Sequence, residues 1–249
     1  MLIIGYVHAM LSSRATFLIT PLVSEDVEKD GVVNIPVACI TDIDVMPNNA
    51  PWIVGKLEIG QPIPLRPPSK RQWRIKDDFP GEQLEQRRAE RREKASGQKV
   101  ETFVADEWTL EFDLAFCGLS KHVYRAGTLA LANDRLTAGT AEQAVILAAA
   151  DAAYQALIDA GHDPSTLASH VYALFEADGA SKAIGAQYLA ELLEKEVADN
   201  NLNANSLRAL LPPYIVAAIE HVTGPFAPPL AGGAAGEPGA PVMAPAPGA

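Results

Sequence analysis

The chain has 249 residues, 48% of them hydrophobic, and a net charge of −11. That length and apolar content allow one large domain or two small ones with a sizeable core, and the charge argues against a general nucleic-acid-binding surface. The two cysteines, Cys39 and Cys117, sit in apolar runs without a histidine cluster, which excludes a disulfide framework and a zinc site.

The first 24 residues are apolar but poorly patterned. "LIIGYV" and "ATFLITPLV" each read as a strand without a site motif, and residues 1–31 form an atypical N-terminal segment. "MLIIGYVHAML" lacks the basic region and the small-residue cleavage site of a signal peptide. No run reaches the roughly 20 apolar residues of a transmembrane helix. The sequence therefore reads as cytoplasmic, with no membrane partner and with its thiols reduced.

Val32 to Ile40, "VVNIPVACI", is a continuous β-branched apolar run, as expected of a strand buried on both faces. Pro36 removes one ladder donor and belongs at an edge, a bulge or the strand start. Immediately afterwards come Asp42 and Asp44, in "ITDIDVM". Alternation along a strand points both to one side. Ligands of open α/β sheets bind outside the carboxyl ends of the strands. Two carboxylates there suit a hard cation such as Mg²⁺, which would offset their repulsion and desolvation. The plainer alternative is a pair of loop-capping acids, one making an Asx-turn.

"MPNNAPW" and "IGQPIPLRPPSK" read as loop. Between Ser69 and Val100 there are ten Lys/Arg against six Asp/Glu, a local +4 in an otherwise acidic chain. Within it, Glu82 to Lys94 is helical in propensity and nearly devoid of apolar residues. Such a helix is expected to project into solvent or to touch a polyanion. Lys99 to Ala105 is a second strand, followed by a helix carrying Leu110, Leu114 and Cys117 on one face, with Gly118 as its stop. Glu111 lies in the first turn of that helix. Two neighbouring parallel strands would bring it near Asp42 and Asp44, although the helix dipole alone also favours an acid there.

The C-terminal half reads as helical. Thr140 to Gln143 spells a capping box before an Ala-rich helix ending near Gly161. Asp163-Pro164 is an N-cap with proline at the first helical position, opening a helix to about Ala177. Ser181 to Glu196 carries Ile184, Tyr188, Leu189, Leu192 and Leu193 as its buried stripe. Lys182 stands in its first turn, where the dipole disfavours a cation, on the flank of that stripe. It is either a functional lysine or one that snorkels along apolar surface. A last helix covers "LPPYIVAAIEHV", and residues 224–249 are Pro/Gly/Ala-rich and read as disordered. The five histidines show no ligand spacing, and the sequence contains no P-loop, G-x-S-x-G or G-x-G-x-x-G. Strands with long connections and helices after them favour an α/β fold around a parallel sheet.

"PVACITDIDVMP", "VETFVADEWTLEFDLAF" and "DGASKAIGAQYLAELLE", in this order, resemble the Toprim nuclease domain of the OLD (overcoming lysogenization defect) family of ATP-dependent endonucleases. The resemblance spans about Val32 to Glu196. It implies a Toprim-like parallel sheet flanked by helices over 32–200, with residues 45–99 as a loop and charged-helix insertion and 201–223 as a C-terminal helix. It implies DNA as substrate and two-metal phosphodiester hydrolysis with Mg²⁺ or Mn²⁺. Asp42 and Asp44 correspond to the D-x-D ligands and Glu111 to the acid of the T-L-E segment. Lys182 corresponds to the lysine that stabilises charge on the phosphate, and Asp113 is expected to support the ligands from behind.

The family's V-E-G-x-x-E segment, which supplies further glutamate ligands, has no counterpart in residues 1–31, and the ATPase half is absent. The expectation is thus an N-terminally truncated OLD-like chain with an incomplete metal site. An inactive module that binds a separate ATPase subunit, or dimerises through the Ala-rich helix, is the alternative. Phosphatases of the haloacid dehalogenase type also place D-x-D at a strand end, with the first Asp as nucleophile, but carry Thr or Val where Met46 stands here.

Overall fold

In a computed structural model of the chain, residues 36–64, 73–96 and 100–224 are described. The expected N-terminal strands, the first residues of "VVNIPVACI", part of the Pro-rich loop and the Pro/Gly/Ala tail lie outside the described residues. What is described is an α/β arrangement: a two-stranded parallel sheet and, for the most part, helices.

Strand β1, Val37–Thr41, starts directly after Pro36, where the missing N–H costs no ladder bond. It pairs in parallel with β2, Val100–Val104, in the register Val37 to Val100 and Thr41 to Val104. Between them lie the short helix α1 (Ala50–Ile53), a 3₁₀ turn at Lys76–Asp78, and α2 (Gln83–Ala95). After β2 come α3 (Leu110–Leu114), a wider π turn (Ala115–Leu119), α4 (Ser120–Leu131) and α5 (Asn133–Thr137). The chain continues as α6 (Gln143–Asp159), α7 (Pro164–Glu176), α8 (Lys182–Ala198), α9 (Ala204–Leu210) and α10 (Pro213–Thr223). No helix among the described residues is long and apolar enough to cross a membrane.

Both faces of the strand pair are covered, as parallel strands require. Phe103 packs with Tyr214, Ile215 and Ala218 of α10. Val104, pointing the other way, packs with Ile43, Val45, Phe79 and Leu84 of α2. The largest core group joins α1, α3, α4 and α7 through Trp108, Phe112, Leu119, Val123, Val171 and Tyr172.

Gly118 ends the helix as expected: at φ 142° it leaves the helical path, and α4 starts directly behind it. A Cβ there would also lie 2.8 Å from Leu210 Cδ2, so both backbone and space favour glycine. Three expectations change. The capping box at Thr140 does not form. The Thr140 hydroxyl donates to the Arg135 carbonyl at 3.2 Å, closing the end of α5, and α6 begins behind Glu142. The expected helix over 201–223 is two helices, because Pro212 and Pro213 cannot continue α9 and instead open α10.

The third concerns α2, which does not project into solvent. It lies on β2 and turns Leu84, Arg87, Arg88 and Arg91 inward at i, i+3, i+4 and i+7. Strand ends leave backbone carbonyls that need donors, and the guanidinium groups supply them. Arg87 donates to the Ile43 carbonyl at 3.2 Å, Arg91 to that of Asp42 and Arg88 to that of Asp106.

The turn between β2 and α3 is set by Asp113, which is 1% exposed. Its carboxylate accepts the backbone N–H groups of Asp106 (2.9 Å), Glu107 (3.1 Å) and Trp108 (2.9 Å). Replacing Asp113 by Asn turns an amide donor onto at least one of these N–H groups. Asp113→Asn should lose about 2–4 kcal/mol in urea unfolding, as expected for unsatisfied buried donors. A loss below about 0.5 kcal/mol would show that the clamp does not hold this turn.

Candidate functional site

The ladder ends where the Ala105 N–H bonds to the Thr41 carbonyl at 2.9 Å. Asp42 and Asp44 lie beyond it and so escape strict alternation. Asp42 is buried, and Asp44 is exposed at φ 54°, in the left-handed region. The two acids therefore do not share one side, as strand geometry alone implied. Between and after them, Ile43 and Val45 are both fully buried and pin the segment down. The Ile43 N–H donates to the Trp108 carbonyl at 3.1 Å, tying this segment to the turn that Asp113 holds.

That tie brings the start of α3 to Asp42. The Leu110 N–H donates to Asp42 Oδ1 at 3.1 Å, and Glu111 follows. Thr109 caps the helix by accepting the Phe112 N–H at 3.3 Å. Burial, then the neighbouring charge of Glu111, pushes the Asp42 carboxyl up to about 6. Lys182 and the Leu110 N–H pull it down by less.

Lys182 is the first residue of α8, behind the N-cap Ser181. Its ammonium stands 3.1 Å from Glu111 Oε2 and 3.1 Å from the Tyr172 hydroxyl, and 5.1 Å from the Tyr172 ring centroid. Burial alone would lower the ammonium. Glu111 and Tyr172 outweigh it and hold the group above its usual value. Tyr172 is itself pushed up to about 12, chiefly by burial. Beside the pair lies an apolar cavity of about 440 Å³, lined by Leu114, Val123, Phe175 and Leu189 as well as by Glu111 and Lys182. Such surroundings strengthen the attraction between the two charges. The flank position of Lys182 thus reflects a partner 71 residues earlier in the chain.

Of the four expected site residues, Asp42, Glu111 and Lys182 come together, whereas Asp44 turns to Arg91 at 2.7 Å. Asp113 does not join them, because its carboxylate is occupied by the turn it clamps. Three participants were not legible from single residue types. Tyr172 orients Lys182, and Arg91 holds Asp44. Tyr214 brings a buried hydroxyl, without a hydrogen-bond partner among the described residues, into the field of Asp113, Asp42 and Asp106. The inward stripe Leu84, Arg87, Arg88 and Arg91 was the available signal for Arg91, since its helical spacing begins on the helix's one large apolar residue.

Among the described residues, no group of three or more His, Cys, Asp or Glu side chains gathers tightly enough to hold a metal ion. The donor set at the strand ends is nevertheless of the right chemistry for a hard cation. Asp42 and Glu111 supply carboxylate oxygens, and Mg²⁺ is commonly bound by one or two carboxylates while keeping several waters. No protein family, no curated protein and no solved structure matches the chain.

The raised Asp42 carboxyl gives a definite pH dependence. An unfolded aspartate titrates near 3.9. Between about pH 4 and 6 the folded chain keeps a proton that the unfolded chain has lost, so stability falls as pH rises through this window. Asp113, pushed up to about 7 by burial, adds a fall of the same sign. Asp42→Asn should flatten the dependence by about 2 kcal/mol between pH 4.5 and 7, read from urea unfolding at a series of pH values. An unchanged pH profile would overturn the assignment.

Proposed function

We propose that the strand-end site is a metal-dependent phosphodiester-cleaving centre of the Toprim nuclease type, acting on DNA. The observation that carries this reading is the convergence of Asp42, Glu111 and Lys182. They come from the ends of two neighbouring parallel strands and from a distant helix. The chemistry of the resemblance needs acids and a lysine in that relation, and sequence separation makes their meeting by chance uncommon.

Asp42 and Glu111 would hold Mg²⁺ or Mn²⁺, which supplies charge neutralisation and an activated water. The chain's own part is then simple. Asp42 is kept in register by the Leu110 N–H. Lys182 is held by Tyr172 in a conformation whose ammonium can face developing negative charge on phosphorus-bound oxygens. Glu111 keeps that ammonium protonated and fixed. The fully buried residues Ile43 and Val45 limit movement of the acid segment.

A second reading, a non-catalytic interaction module, has its own observation in favour. Arg91 and Lys182 already neutralise Asp44 and Glu111. Helix α6 also leaves Val145 (63%) and Ile158 (42%) exposed, a surface for a second copy or an ATPase partner. Calorimetry separates the two readings, since Mn²⁺ should bind with about 1:1 or 2:1 stoichiometry in the first and not at all in the second.

Nicking of supercoiled plasmid should require Mg²⁺ or Mn²⁺ and stop in EDTA. Asp42→Ala, Glu111→Gln and Lys182→Ala should each lower the rate about 100-fold or more, while Lys182→Arg keeps part of it. Nicking that persists in all three substitutions would remove these residues from the mechanism.

A further inference from the structure

Arginines from two separate segments crowd beside the acid cluster, and their charges are poorly matched. Arg74 lies with its guanidinium carbon 5.8 Å from the Phe79 ring centroid, and Arg87 with its own 5.6 Å from the same centroid. Arg91, one turn after Arg87, completes the group. Among the described residues neither Arg74 nor Arg87 has a carboxylate partner. Arg87 spends its Nε–H on the Ile43 carbonyl, and Arg91 divides its fork between the Asp42 carbonyl and the Asp44 carboxylate. Glu90 and Asp44 are the acids that act on Arg87. Burial, Arg91 and Arg74 outweigh them and lower the guanidinium from its usual value. Three guanidinium groups held this close repel one another, and a bound anion relieves that cost.

Position and shape narrow the anion. Arg87 and Arg91 sit on the backbone of residues 42–44, so the group borders the carboxyl ends of the strands, the same edge that carries Asp42. Planar forks match phosphate oxygens bidentately, and the Phe79 ring, packed on Ile43, Val45 and Val104, holds the Arg74 and Arg87 guanidinium groups side by side. We infer that Arg74, Arg87 and Arg91, with the ring of Phe79, form a phosphate-binding cleft that seats the backbone of a nucleic-acid strand next to the strand-end acids. Its place beside those acids rests on the phosphodiester reading above, whereas binding itself needs no hydrolysis. The −11 charge of the chain opposes long-range attraction, so affinity is weak and depends steeply on salt.

Fluorescence anisotropy of a labelled single-stranded oligodeoxynucleotide of about 20 nucleotides, with the full chain in EDTA, tests this without metal. The expected dissociation constant is about 10–100 µM at low salt. Three phosphate contacts give a slope of log K against log[salt] of about −2. Arg74→Gln with Arg87→Gln should weaken binding about 10-fold or more and bring the slope to about −0.7, while the matching Lys pair keeps the slope. Arg74→Gln alone, whose partner among the described residues is the Phe79 ring, should give an intermediate loss with an unchanged melting temperature. Equal affinity and slope in the wild type and both Gln variants would overturn the cleft. Displacement of the oligonucleotide by inorganic phosphate at equal phosphate concentration would overturn the nucleic-acid assignment. Arginine-dependent binding in a chain that nicks nothing supports the cleft and removes only the hydrolytic reading.

Discussion

The strand-end site depends on how the chain holds carboxylates where water is largely excluded. Ionised acids at the end of a buried parallel strand pair cost several kcal/mol each unless paired or hydrogen-bonded. The fold meets this with groups drawn from far along the sequence. Lys182 of α8 answers Glu111 of α3, and Arg91 of α2 answers Asp44. The Leu110 N–H answers Asp42. Each compensation fixes one element against the strand ends, so the electrostatic requirement also sets where α2, α3 and α8 begin or lie.

The apolar core makes these compensations precise enough to matter. Trp108, whose carbonyl receives the Ile43 N–H, packs edge-on against Tyr172 at 4.5 Å between ring centroids. Tyr172 in turn bonds Lys182. A single aromatic contact thus links the turn after β2 to the lysine of α8. Gly185, one turn after Lys182, lets α8 approach closely: a Cβ there would stand 2.8 Å from Phe175 Cε1. Packing and ion pairing are therefore one system here, with close helix contact placing the charge and the apolar cavity strengthening it.

Much of the local structure was legible because local chemistry decides it. Asp163 with Pro164 opens α7 as its sequence indicates, accepting the N–H groups of Ser165 and Thr166. β1 begins inside the β-branched run and ends one residue past it at Thr41, and β2 lies within the expected strand Lys99 to Ala105. Where the reading failed, a competing partner took over the residue, sometimes close in sequence and sometimes remote. Thr140 serves the helix before it instead of the one after it. The polar helix α2 turns inward because strand-end carbonyls need donors, a demand invisible in its own composition. The position of Asp44 could not follow from alternation, since the ladder stops at Thr41 and the backbone reaches φ 54°. Lys182 was legible only as a residue out of place, and its meaning required seeing Glu111 and Tyr172 around it.

Arg91 joins the two charge systems, which gives their relation a sign. One guanidinium faces both Asp44 and the neighbouring Arg87. An anion seated on Arg74 and Arg87, as proposed, would compete with Asp44 for Arg91 and loosen Asp44. A loosened Asp44 would add negative charge beside Asp42, which would favour a cation there. Linkage would make this reciprocal: a cation at the acids would strengthen the anion cleft by the same factor that the anion strengthens cation binding. The size of this coupling would be bounded by what the partly exposed Arg91–Asp44 pair contributes, about 0–1 kcal/mol. Under the two proposals the sites would be positively coupled through Arg91, which already serves Asp44.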